Sequence, residues 1–238
     1  MYSIKALRFI RIARSCSGSA HTVTPLELHA SRTAEIIDGK TIAREIESEI
    51  RVAIDETSSR VGRRPHLTAV LVGDNEGSSV YVKNKIQAAK RTGMSTYGKH
   101  VLVCGRSTIV GLPLSIMLGS SRDYGNATVS TCHSRSRPSD LRALAQTADI
   151  VITATGVPGL ITADMIKNGA CVIDVGITRV FDEASGKTRL VGDVDFIGVS
   201  RKASYITPVP GGVGPVTVAM LMRNTFLAYS RAINYQLT

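Results

Sequence analysis

Residues Val101 to Pro113 read VLVCGRSTIVGLP. Val101, Leu102 and Val103 form an apolar run that ends on Cys104 and Gly105. Gly105 and Gly111 bracket a polar turn, and Pro113 suits the first turn of a helix through Leu114, Ile116, Met117 and Leu118. Strand, glycine turn and helix in that order predict the opening unit of a dinucleotide-binding fold. Such a turn must be nearly free of side chains, so that a pyrophosphate can approach backbone N–H groups and the helix N-terminus. The spacing is G-R-S-x-x-V-G-x-P rather than G-x-G-x-x-G, so the general fingerprint is half met. The other reading is an ordinary strand–turn–helix connection with two structural glycines.

Downstream, the alternation of strand and helix continues. Ala127–Cys132 and Ile150–Ala154 read as strands, with a helix through Leu141, Leu144 and Ala145 between them, capped by Ser139 or Asp140. Thr162 opens a short helix to Lys167, and Ala170–Val175 reads as a further strand. Leu190–Gly192 and Tyr205–Ile206 look like shorter strands. Strands that alternate with helices and close on glycine turns predict an α/β fold with a Rossmann-like, doubly wound parallel sheet. In that fold an acidic residue about 20 positions beyond the glycine turn takes the ribose 2′-OH. Here the region reads Cys132-His133-Ser134-Arg135-Ser136-Arg137, with no acid. Ser134 and Arg135 suit a 2′-phosphate, which favours NADP over NAD; a solvated basic loop is the alternative.

Upstream, Asp38 precedes Ile42, Ala43, Ile46, Ile50 and Ile54, an amphipathic helix with Asp38 as its cap. Ser58–Pro65 reads as a polar connection, Leu67–Val72 as a strand, and a second helix starts at Ser78 or Ser79 and ends at Gly93. Tyr81 and Lys85 on that helix share one face at i, i+4, either within reach of one ligand or on a solvated surface. Near the C-terminus, YITPVPGGVGPVT (205–217) holds three prolines and three glycines between Pro208 and Pro215. It predicts a stiff loop, poor in side chains, against which a flat ring can lie, with a helix from Val216 or Thr217.

Composition sets the limits. A hydrophobic share of 43% in 238 residues fits a globular core of one large or two small domains. No apolar run approaches the ~20 residues of a membrane helix. Cys16, Cys104, Cys132 and Cys171 form no C-x-x-C pair; three lie in or beside apolar strand-like runs and read as buried free thiols, which points to a reducing compartment without a disulfide framework. The net charge of +10 is spread rather than clustered, which suits small anionic ligands and gives no nucleic-acid surface. Residues 1–32 are rich in Arg, Ser and Thr, with no acid before Glu27. That composition predicts a mitochondrial transit peptide and import to the matrix; a basic tail is the alternative.

Five motifs occur in order: Y-V-x-x-K, G-R-S-x-x-V-G-x-P, V-I-D-V-G-I, V-G-D-V-D-F and Y-I-T-P-V-P-G-G-V-G-P-x-T. Together they resemble the methylenetetrahydrofolate dehydrogenase/methenyltetrahydrofolate cyclohydrolase family in its mitochondrial bifunctional form, from about Ile36 to Ala232. The resemblance implies NAD(P)-dependent oxidation of 5,10-methylenetetrahydrofolate to the methenyl form, hydrolysis to 10-formyltetrahydrofolate, and a homodimer. It implies Tyr81 stacked on the folate and Lys85 as the catalytic lysine. The segment Tyr81, Val82, Lys83, Asn84 and Lys85 would contact substrate, as would the loop Pro210, Gly211, Gly212, Val213 and Gly214. Gly105, Arg106, Ser107, Ser134 and Ile177 match cofactor-contacting positions. Arg106 and Arg135 match two arginines that in NAD-using mitochondrial members hold phosphate with Mg2+ and an aspartate. That aspartate is Asn126 here, which counts against the arrangement.

One departure is large. Family members carry Q-L-P-L-P, D-V-D-G and P-x-T-P motifs between the Y-V-x-x-K helix and the nucleotide domain; here Lys90-Arg91-Thr92-Gly93 follows Lys85 almost at once. The expected organisation is a transit peptide (1–32), a truncated α/β folate-binding domain (33–94, with 213–238 packing back) and an NAD(P)-binding domain (95–212). The alternative function is a catalytically impaired short form that binds nucleotide or associates with full-length subunits.

Overall fold

The computed structural model describes residues 33–65, 95–121, 125–182 and 186–236. In chain order the elements are β1 (Glu35–Ile36), α1 (Gly39–Val61), β2 (His100–Cys104), α2 (Gly111–Gly119), β3 (Thr128–Cys132), α3 (Pro138–Thr147) and β4 (Ile150–Thr153). Then follow β5 (Cys171–Asp174), β6 (Thr178–Asp182), β7 (Lys187–Val191), α4 (Phe196–Ser200), β8 (Tyr205–Ile206) and α5 (Val213–Gln236).

Six strands form one sheet in the order β1-β8-β5-β4-β2-β3, every pairing parallel. Its central strands are apolar on both faces, as a parallel sheet covered on both sides requires. Leu102, Val151, Val172 and Ile206 pack on one face with Leu141, Leu144 and Ala145 of α3 and Val199 of α4. Val101, Val103, Ile152 and Ile173 pack on the other with Leu114 and Leu118 of α2, and with Ile37 and Ile42. This is the doubly wound architecture expected. A third cluster joins Ala43, Ile46 and Ile50 of α1 to Val216, Ala219 and Met220 of α5.

Several boundaries differ from expectation. Helix α1 runs on through Ser58 to Val61 and stops where Gly62 takes φ 72°, its N–H bonded to the Ser58 carbonyl. Neither Ser139 nor Asp140 caps α3; Arg137 stands at the cap and Pro138 opens the helix, its fixed φ already helical. Helix α5 begins at Val213 rather than Val216, so Pro215 sits within its first turn. Thr162–Lys167 yields only a 3-10 turn at Ala163–Met165. Leu190 and Val191 belong not to the parallel sheet but to an antiparallel hairpin of β6 and β7. Glu35 and Ile36 add an edge strand, Ile36 pairing with Ile206. The strand at Leu67–Val72 and the helix at 78–93 lie outside the described residues.

Candidate functional site

The sheet order puts β2 beside β4, yet the chain leaves β2 toward β3 on one side and returns through β4 on the other. At such a switch point the loops after the two strands diverge and leave a crevice at their C-terminal ends. A cavity of about 430 Å³ lies there, lined by Gly105, Arg106, His133, Ser134, Ala154 and Thr155, among others. The glycine turn closes one side of it. Gly105 has φ +115°, and a Cβ there would stand 2.7 Å from the Ala154 carbonyl oxygen. A Cβ on Gly111 would stand 2.0 Å from the Gly105 carbonyl oxygen, so the turn folds onto the start of α2 only without side chains.

Of the residues expected to contact a cofactor, Gly105, Arg106 and Ser134 line this cavity together. Ser107 does not; its hydroxyl accepts the Val110 and Gly111 N–H groups at 3.1 and 3.4 Å and so fixes the start of α2. Arg135 lies in the tight turn after β3, where its N–H donates to His133 Nδ1 and the His133 N–H to Ser136 Oγ. Its side chain is exposed, and the turn carries no carboxylate. The residues present fit a dinucleotide: a turn bare of Cβ atoms, two exposed guanidiniums and a hydroxyl suit phosphate groups. Ile177 follows β5 and is 59% exposed.

A buried pair of carboxylates, to which no role was attached in the sequence, ties these strand ends together. Asp174 Oδ1 accepts the Gly176 N–H, the Asp193 N–H and the Thr153 hydroxyl, and Oδ2 accepts the Val194 N–H. Burial pushes its carboxyl above the usual carboxylate range, against those hydrogen bonds. Asp193 Oδ2 accepts the Thr155 N–H at 2.7 Å, the Thr155 hydroxyl at 2.8 Å and the Gly156 N–H at 3.3 Å. The available signal was two acids set among valines and glycines in V-I-D-V-G and V-G-D-V-D-F.

The loop after β8 reaches the same edge of the sheet. The Val209–Pro210 peptide is cis, Gly212 N–H donates to the Pro208 carbonyl, and Gly211 has φ 112°. This loop packs backbone to backbone on the start of α1: a Cβ on Gly39 would lie 1.5 Å from the Gly212 carbonyl oxygen. Pro210, Gly211, Gly212, Val213 and Gly214 do not line the cavity at Gly105; they stand at the end of β8, three strands from β2. The C-terminal edge therefore presents, in spatial order, the ends of β3, β2, β4, β5 and β8. Tyr81, Val82, Lys83, Asn84 and Lys85 lie outside the described residues.

Asn126 stands where the resemblance has an aspartate. It precedes β3 at the N-terminal edge of the sheet, whereas Arg135 follows β3 at the C-terminal edge. At ~3.3 Å per residue the strand itself separates the two ends. Its φ of 60° gives the residue a conformational role, since Asn tolerates the left-handed region. No group of three or more His, Cys, Asp or Glu among the described residues is placed to hold a metal ion.

Two family models match the chain. "Tetrahydrofolate dehydrogenase/cyclohydrolase, NAD(P)-binding domain" covers residues 82–233, and the catalytic domain of the same name covers 37–103. Among curated relatives, the human "bifunctional methylenetetrahydrofolate dehydrogenase/cyclohydrolase 2, mitochondrial" is 36% identical over 296 aligned positions, covering 84% of this chain and 85% of its own. That share of 238 residues is about 200, so nearly a hundred of the 296 positions have no counterpart here. Among solved structures, a 5,10-methylenetetrahydrofolate dehydrogenase from the silkworm Bombyx mori is 32% identical with a TM-score of 0.73, covering 84% of this chain and 99% of that one. The Trypanosoma brucei enzyme, solved with NADP and an inhibitor, is 27% identical with a TM-score of 0.75, covering 85% and 99%.

Proposed function

The chain belongs to the tetrahydrofolate dehydrogenase/cyclohydrolase family, and from that premise we propose that it oxidises 5,10-methylenetetrahydrofolate with NAD(P) and hydrolyses the methenyl product to 10-formyltetrahydrofolate. The observation that carries this reading is the cavity at the β2/β4 switch point, with the proline–glycine loop on the same edge of the sheet. In this reading Gly105 and Arg106 hold the pyrophosphate end of the dinucleotide, and Ser107 supports them by fixing the start of α2. Ser134 and Arg135 take the 2′-phosphate, which makes NADP the preferred form. Ile177 bounds the nicotinamide, and Pro210–Gly214 bounds the pterin against Tyr81. NAD(P) supplies the hydride acceptor. Positioning carries most of that step, because carbon and nicotinamide need only be held face to face. Lys85 moves the proton in hydrolysis. No Mg2+ enters the scheme.

A second reading rests on the alignment gap of nearly a hundred positions. The motifs absent from the sequence are those that in the family flank the lysine and anchor the pterin. The chain is then a short form that keeps the nucleotide and has lost turnover. The division into a folate-binding part (33–94 with 213–238), an NAD(P)-binding part (95–212) and a transit peptide (1–32) belongs to both readings. So do the matrix location and the homodimer.

Titration of the purified chain with NADP and NAD, followed by assay with methylenetetrahydrofolate, separates the two readings. Turnover with Lys85→Met inactive in hydrolysis supports the first. Tight nucleotide binding without turnover supports the second. Absence of nucleotide binding sinks both. Arg135→Ala is expected to weaken NADP about tenfold and to leave NAD unchanged, as loss of one charged hydrogen bond predicts.

A further inference from the structure

Strands β2 and β3 are parallel neighbours, and their register sets Cys104 directly against Cys132. Residues paired in this way project from the same face of a sheet, and adjacent strands run roughly 4.8 Å apart. Both cysteines belong to the apolar cluster on one face, whereas Cys171 belongs to the cluster on the other. All three are free thiols. Cys104 and Cys132 also line the 430 Å³ cavity, whose wall beside them is built from Pro138, Leu141 and Leu160. Two thiols on neighbouring strands, projecting from the same face, therefore line one partly apolar, ligand-sized space.

We propose that Cys104 and Cys132 form a dithiol site that captures trivalent arsenicals of the type R–As=O, with the cavity wall receiving an aryl group R. Burial pushes the Cys104 thiol up to about 12 and raises that of Cys132, so both are protonated near neutral pH. Thiols in that state are poor partners for reagents that need a single thiolate. A condensation that consumes two protonated thiols at once suits them better. Two S–As bonds form, the As=O bond breaks, and both thiol protons leave with the oxygen as water. Arsenic stays trivalent and no oxidant takes part. The site stands on the register and the cavity alone, whatever the cavity binds in the cell.

The test is native mass spectrometry of the reduced full chain with phenylarsine oxide and no nucleotide. One phenylarsenic adduct per chain is expected, reversed by a dithiol and not by a monothiol at equal concentration. Cys104→Val and Cys132→Ala should each abolish it, and Cys171→Ala should keep it. Should a variant fail to fold, alkylation mapping of the wild-type adduct replaces it: Cys104 and Cys132 must be the two protected positions. No adduct, an adduct that persists in either folded single variant, or protection of Cys16 or Cys171 instead overturns the proposal. NADP titration in a separate experiment keeps failure of the nucleotide reading distinct, since the adduct does not depend on it.

Discussion

At Gly105 one added methyl group decides whether the turn after β2 closes. The residue sits at φ +115° with its virtual Cβ 2.7 Å from the Ala154 carbonyl oxygen. Gly105→Ala is expected to destabilise by about 1–3 kcal/mol and to weaken dinucleotide binding, read by thermal melting and by titration. Asp193 makes a second case. Its Oδ2 receives three donors from Thr155 and Gly156, and the residue is fully buried. Asp193→Ala leaves those donors unsatisfied and should lose at least ~2 kcal/mol in urea unfolding, whereas Asp193→Asn keeps one acceptor and should lose less. Asp149 supplies the pH dependence. The Lys167 ammonium bonded to it holds its carboxyl below the ordinary value, helped by the His100 N–H. That stability is present above pH ~3.9 and disappears as pH falls through the lowered folded value. Lys167→Met should therefore be less stable than wild type near pH 6, by no more than about 1 kcal/mol since the pair is partly solvated. The difference should shrink as pH falls below ~3.9 in acid titrations of unfolding. Gly105 was legible as a turn residue because that role is local. Asp193 was not, because its donors come from a loop 38 positions earlier, which only the fold brings near.

Helix α1 shows what periodicity can and cannot deliver. Isoleucines spaced by three or four residues predicted the helix and its buried stripe, and Asp38 caps it by accepting the Lys40 N–H. Its partner was beyond reach of that pattern: Ile46 is fully buried only because Val216, Ala219 and Met220 of α5 cover it. Ile46→Ala should accordingly destabilise by ~2–5 kcal/mol in denaturant unfolding, as a core truncation does. Should that loss fall below ~1 kcal/mol, the α1/α5 contact contributes little to the native state. The helix starts at Pro138 and Val213 were misplaced for one reason. Proline is tolerated in a helix's first turn, so a start sought at Ser139 or Asp140, or set after Pro215, falls too late. Of the β6–β7 hairpin only Leu190 and Val191 read as strand; the rest of TRVFD and KTRLV lies off the main core and is too polar to show a buried face. Strand β1 escaped because two residues carry no period at all.

For the whole molecule, the order of strands does what no single motif does. It sets the glycine turn after β2, the carboxylate-tied loops after β4 and β5, and the proline–glycine loop after β8 along one edge. Alternation of apolar runs and glycine turns was enough to predict a doubly wound parallel sheet. Which strand ends adjoin was not, because adjacency depends on crossovers rather than on local pattern. At this scale the expectation is that NADP raises the melting temperature of the full chain by mass action, and that Gly105→Ala blunts the rise; equal shifts in both proteins would move the nucleotide away from the β2/β4 crevice. The short edge strand has a consequence of its own. Ala34 is buried, its N–H bound to the Ser200 carbonyl, and Ile37 N–H is bound to the Ile206 carbonyl. Truncation past Thr33 would thus peel away the outermost rung of the sheet and loosen the start of α1 with it.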